Sequence, residues 1–219
     1  MKPAEAPRVP AIEAREALAV CALLTFFALL AWERTVGEFA FDLLLLRAVH
    51  AISHPIVVDA SRWIARAGYG YGVLPIDALI VLALLVARRV RDAGFAFVAL
   101  WGGLLLSALL KMGIHRARPA LETVREVQLN YSFPSGHAMA TAALAATAIA
   151  LTWNTRWRLP VVAVTGVFAL LVGIGRLHAG VHFPSDVVAG WAAGVGWTCV
   201  VHLCVHRRVR TDRQTATPG

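Results

Sequence analysis

The stretch LPVVAVTGVFALLVGIGRLHAGVHFPSDVVAGWAAGVGWTCVVHLCV (159–205) reads as two apolar segments, 159–174 and 187–205, joined by a polar turn. Crossing a bilayer core as a helix takes ~20 predominantly apolar residues, so each arm is close to that length. The turn, 175–186, carries Arg176, His178, His182 and Asp186. Polar residues gathered at segment ends rather than inside them suit a helical hairpin threaded through a membrane, its turn at one surface.

Working outward, further apolar segments stand at 18–32, 73–87, 93–112 and 138–153. The 219-residue chain is 58% hydrophobic and 16% charged, with mean hydropathy +0.66. That is too apolar for an ordinary soluble domain. We expect an all-α polytopic membrane protein with six transmembrane helices. The segment 18–32 is read as a retained span rather than a cleaved signal, because no small-residue cleavage site follows Trp32. Residues 36–72 are broken by Asp42, Arg47, Pro55, Asp59, Arg62 and Arg66. They predict two short amphipathic helices at the membrane surface between the first and second spans, followed by a turn with Tyr69 and Tyr71 at interface depth.

Residues 1–14 read as a disordered cytoplasmic lead, 15–206 as the six-span domain and 207–219 as a cytoplasmic tail. Net charge is +8, but the basic residues form no stripe, so nucleic acid is not an expected partner. Many of them, such as Arg88, Arg89, Arg91, Arg156 and Arg158, fall in short connections on the side of the termini. That bias places both termini in the cytoplasm. Cys21, Cys199 and Cys204 lack metal or redox spacing and read as small apolar residues. Gly102, Gly103, Gly190, Gly194 and Gly196 suit close helix contacts in lipid.

Six spans impose a parity. Lys111 ends the third, His137 opens the fourth, Arg176 ends the fifth and Asp186 opens the sixth, so four helix ends share the face away from the cytoplasm. Lys111, Arg118 and Arg176 are cations suited to a phosphate, Arg118 with a planar fork and Lys111 as a point charge. In Pro134-Ser135-Gly136-His137, Ser135 is a natural N-cap and Gly136 permits close backbone approach. The helix dipole there favours an anion. His182 is the candidate nucleophile, forming a phosphohistidine. Asp186, four residues on, is its candidate partner, fixing the ring tautomer. His137 is the candidate general acid and base. His178 and His115 are lesser candidates for supporting or substrate contacts, and His50, His54, His202 and His206 read as interfacial. No metal site or cofactor is expected.

These residues resemble the motifs of the type 2 phosphatidic acid phosphatase superfamily: Lys-x6-Arg-Pro as Lys111…Arg118-Pro119, Pro-Ser-Gly-His as 134–137, and Ser-Arg-x5-His-x3-Asp as Gly175-Arg176…His182…Asp186. The leading serine of the third motif is Gly175 here, which puts one hydroxyl contact in doubt. The resemblance implies a six-helix membrane phosphatase, metal-independent and vanadate-sensitive. It assigns His182 as nucleophile, Asp186 as its partner and His137 as acid and base. Lys111, Arg118, Ser135, Gly136 and Arg176 hold the phosphate. The implied partner is a lipid phosphate or pyrophosphate, and the implied location is the bacterial inner membrane with the site facing outward. A phosphotransferase and a non-catalytic lipid transporter are the alternatives. Asp77, inside an apolar segment, is the residue that favours transport.

Overall fold

The computed structural model describes residues 11–37, 39–51, 54–119 and 131–215. Among these it is all helical, with α1 (Ala11–Thr35), α2 (Ala40–Ala51), α3 (Pro55–Ala67), α4 (Val73–Val86), α5 (Val90–Ile114), α6 (Gly136–Thr152), α7 (Arg158–His178) and α8 (Pro184–Thr215). Helices α1, α5, α7 and α8 are long and apolar enough to cross a membrane, while α4 and α6 are shorter apolar helices. The expectation of six spans is therefore met at full length by four.

Large apolar side chains lie on the outside of the bundle, among them Leu24, Phe27, Leu105, Leu109, Val164 and Val167. An aqueous surface would penalise such a coat, and acyl chains solvate it. The interior is built from small residues. Helix α6 buries Ala138, Ala140, Ala142, Ala143 and Ala145, and its most extensive partner is α8.

That closeness is set by two glycines. A Cβ added at Gly190 would lie 2.5 Å from the Ser135 carbonyl oxygen, and one at Gly194 would lie 2.5 Å from that of Met139. Gly196 faces Leu23 of α1, and Gly102 of α5 faces the Trp197 ring of α8. The glycines read as helix contacts thus serve as contacts. In lipid, such small-residue seams supply the dispersion that holds helices together.

Two boundaries differ from expectation. Helix α1 starts at Ala11, inside the stretch read as a lead, and residues 1–10 lie outside the described residues. Helix α8 continues to Thr215, through the segment read as a tail. Its Arg- and Gln-containing continuation has adequate helix propensity once a long helix is nucleated. Helices α2 and α3 form where two amphipathic helices were expected, and α3 leaves Ile56, Val57 and Trp63 exposed. Asp42 of α2, however, is not on a solvated face. It is buried, at 1% exposure.

Candidate active site

Four helix ends converge as the parity requires. Lys111 sits in the last turn of α5, His137 in the first turn of α6, Arg176 in the last turn of α7 and Asp186 in the first turn of α8. Lys111, Arg118, Gly136, His137 and His182 line one cavity of about 350 Å³, together with Tyr69, Ser107 and Tyr131. Gly180, at φ +68°, turns the chain from α7 toward His182, a conformation that favours glycine.

His182 is buried, and its two ring nitrogens face different surroundings. Nδ1 lies 3.5 Å from Asp186 Oδ2, at the outer limit of a hydrogen bond. Nε2 lies 3.3 Å from Arg118 Nη1. A guanidinium can only donate, so Nε2 is the acceptor in this contact and the ring proton belongs on Nδ1, toward Asp186. Burial is the largest influence on this imidazole. With the charges of Arg176 and Arg118 it outweighs the pull of Asp186 and pushes the pKa down to about 3. His182 is neutral at physiological pH, the form with a lone pair to use.

Arg118 also donates to the Val181 carbonyl at 2.6 Å and to that of Tyr131 at 3.3 Å. Lys111 Nζ donates to the Tyr131 carbonyl at 2.6 Å. The cations are thus held by backbone oxygens on the rim of the cavity. Arg176 is buried, close enough for its charge to act on both His137 and His182.

Ser135 stands at the N-cap of α6 with extended backbone, but its hydroxyl makes no capping hydrogen bond. Its Oγ is buried without a hydrogen-bond partner among the described residues. The Ser135 backbone N–H donates instead to the Asp186 carbonyl at 2.9 Å, because Gly190 brings α8 against this turn. A Cβ at Gly136 would lie 3.2 Å from Ser107 Oγ, so glycine lets α6 close on α5 beside the cavity. The first N–H groups of α6, lacking a side-chain cap, face outward from the helix as anion donors.

Several contributors escaped the sequence reading. Tyr69, taken as an interface residue, lies against His137 with ring centroids 5.0 Å apart and planes tilted by 32°. Arg116, which the sequence reading gave no part in the site, is buried and donates to Asp186 Oδ1 at 2.6 Å. Ser132 Oγ donates to Asp186 Oδ2. The Arg-x-Arg spacing ahead of Pro119 was visible, but no pattern pairs it with an acid 70 residues away. At Gly175, a Cβ would lie 3.3 Å from the Ser61 carbonyl oxygen of α3. The departure from the motif thus makes room for α3. His115 ends α5 in a left-handed conformation, with its ring edge-on to Tyr131 at 4.4 Å. His54 caps α3, and His202 stacks on His206 beside Phe95. No group of three potential ligands for a metal occurs among the described residues.

A helical membrane bundle with a cationic, two-histidine cavity at its helix ends is the architecture of a membrane phosphatase. The chain belongs to the PAP2 superfamily, whose pattern matches residues 92–210. Phosphatidylglycerophosphatase B of Bacillus subtilis is 30% identical over 184 residues, 74% of this chain and 90% of that protein. An undecaprenyl-diphosphatase of Sulfolobus acidocaldarius is 27% identical over 179 residues, 78% of this chain and 81% of that protein. Among solved structures, the transmembrane PAP2 type phosphatidylglycerolphosphate phosphatase from Bacillus subtilis matches with a TM-score of 0.74 and 28% identity. That match covers 84% of this chain and 94% of the other. The chain is accordingly a multi-pass membrane phosphatase of the lipid-phosphate class.

Proposed function

We propose that this protein hydrolyses a phosphate monoester or diphosphate from a lipid by way of a phosphohistidine on His182. The observation that carries the reading is the pair of environments around that ring. A carboxylate faces Nδ1, and an arginine with a shared cavity faces Nε2. In the first step Nε2 attacks phosphorus and the bond from phosphorus to the lipid oxygen breaks. His137, which gains its proton beside the anionic substrate, donates it to that oxygen. Asp186 balances the positive charge left on the phosphorylated ring. In the second step His137 takes a proton from water, the oxygen attacks phosphorus, and the phosphorus–nitrogen bond breaks to free phosphate and His182. Lys111, Arg118, Arg176, Ser135 and the first N–H groups of α6 hold the phosphoryl oxygens, the largest part of catalysis in such transfers.

The headgroup fits a site at the ends of helices, and the tail stays among the apolar faces beside it. In this reading α4 and α6 also cross the bilayer, giving six spans. Both termini lie in the cytoplasm of a bacterial inner membrane and the cavity opens on the opposite face. The names of the two relatives bracket the substrate between a phospholipid phosphate monoester and a polyprenyl diphosphate. Purified protein with a panel of both, and with free phosphate measured, tests the reading. We expect release that His182→Ala abolishes. Release undiminished by that substitution would remove the phosphohistidine route.

A further inference from the structure

The two arginines that precede Pro119 part company around His182. Arg118 reaches the Nε2 side and the cavity. Arg116 turns to the other side and is enclosed by carboxylates. Its Nη1 donates to Asp186 Oδ1 at 2.6 Å and to Ser185 Oγ at 2.8 Å, and its Nη2 donates to Asp42 Oδ2 at 2.8 Å. Its Nε lies 3.1 Å from Glu33 Oε2. The guanidinium carbon lies over two rings, 4.4 Å from the Phe183 centroid and 5.8 Å from that of Phe39. Asp42 closes the circuit by accepting from the Ser185 backbone N–H at 2.9 Å and from the Ser185 hydroxyl.

We propose that Arg116 is the positioning residue for Asp186, and that Asp42 with Glu33 commits it to that task, leaving Arg118 to the phosphate. The proposal rests on the reading of His182 as nucleophile and Asp186 as its partner. The physical case is one of competition. A dianionic phosphate entering the cavity attracts every nearby guanidinium, and an arginine that answered would release the acid it holds. Three carboxylates around Arg116 outbid the phosphate at that position, while Arg118 stands on the cavity wall where the phosphate enters. Burial works against the Arg116 charge, but Asp186, Asp42 and Glu33 more than offset it and raise its pKa further above the ordinary arginine range. With Oδ1 taken by Arg116, and Oδ2 receiving Ser132 and the Phe183 N–H at 2.8 Å, the Asp186 carboxylate has one orientation. In that orientation Oδ2 faces His182. Glu33 and Asp42 belong to α1 and α2, so the clamp draws on helices outside the 92–210 family match.

The test uses the full chain in detergent, with dioctanoyl phosphatidic acid as substrate and inorganic phosphate as competing inhibitor. Asp42→Asn and Arg116→Gln should lower kcat roughly 10- to 100-fold, the usual cost of losing a partner that orients a reacting group. KM and the phosphate Ki should stay unchanged, because neither residue touches phosphate. Arg116→Lys should recover part of kcat. Arg118→Lys should instead raise KM and Ki. The proposal is overturned if Arg116→Gln raises Ki as Arg118→Lys does. It is equally overturned if Asp42→Asn and Arg116→Gln keep the wild-type kcat. Ser185→Ala cuts one link without altering charge and carries the same expectation where Arg116→Gln does not fold. If none of these variants folds, the cluster is structural only and the proposal fails. Wild-type turnover by His182→Ala would remove the underlying reading, a result distinct from all of these.

Discussion

The two sides of the His182 ring are built on opposite plans. The Nδ1 side is closed, with Asp186, Asp42, Ser132, Ser185 and Arg116 all buried and hydrogen-bonded to one another. The Nε2 side is open, with a cavity of about 350 Å³ whose cations rest on carbonyl oxygens. A buried ionic cluster this densely hydrogen-bonded is rigid, because moving one member strands the others. A cation held by carbonyls can exchange those bonds for phosphoryl oxygens at little cost. On the proposed roles, the contrast divides alignment from recognition at a single imidazole.

The open side should show the largest effects. His137→Gln is expected to lower kcat by roughly 10²- to 10⁴-fold, the range for losing a general acid. Single-turnover measurements of phosphate release check it, and an unaltered rate would move the proton donor elsewhere. Lys111→Ala should cost about 10²-fold in kcat/KM, since a charge that meets the phosphoryl group helps binding and the transition state together. Steady-state kinetics in added salt would show whether the loss tracks charge.

The seam between α6 and α8, beside the closed side, should respond in stability. Gly190→Ala drives a methyl to 2.5 Å from the Ser135 carbonyl, an overpacking expected to cost about 1–3 kcal/mol. The thermal midpoint in detergent measures it, and no change would show that α6 and α8 can part freely.

A stability effect of comparable size sits at the ring itself. Its pKa is pushed down to about 3, below the ~6.5 of an unfolded histidine. Between those values the unfolded chain binds the proton more readily, so the ring's stabilising contribution is complete above about pH 6.5 and declines as pH falls toward 3. Thermal midpoints at about pH 6.5 and about pH 4.5 should differ by a few degrees more in wild type than in His182→Gln.

How much of this was legible beforehand follows the same divide. Lys111, Arg118, His137 and His182 are distinctive residue types at the ends of apolar segments, and membrane threading alone predicts that they share a face. The structure brings them to one cavity. The closed side depends on pairs such as Arg116 with Asp42, 74 residues apart, between helices whose relative placement no local pattern encodes. Asp42 read as a polar interruption of a surface helix, which is what an acid on an amphipathic segment usually is. Only the docking of α2 beside α8 makes it interior. Span length is set by a related limit. Hydropathy finds apolar runs, whereas the starts of α4 and α6 are set by glycine and proline at Gly72, Pro75 and Gly136.

The brevity of those two helices has a consequence for the lipid around them. At 14 and 17 residues, α4 and α6 extend only ~21 Å and ~26 Å, against a hydrocarbon layer of ~30 Å. In the proposed six-span arrangement the leaflets beside α4 thin to meet it, shortening the climb a phosphorylated lipid makes to be gripped, while the buried Ala138–Ala145 face of α6 is shielded from them. Hydrolysis by this protein should therefore run faster in thin-tailed vesicles than in thick-tailed ones.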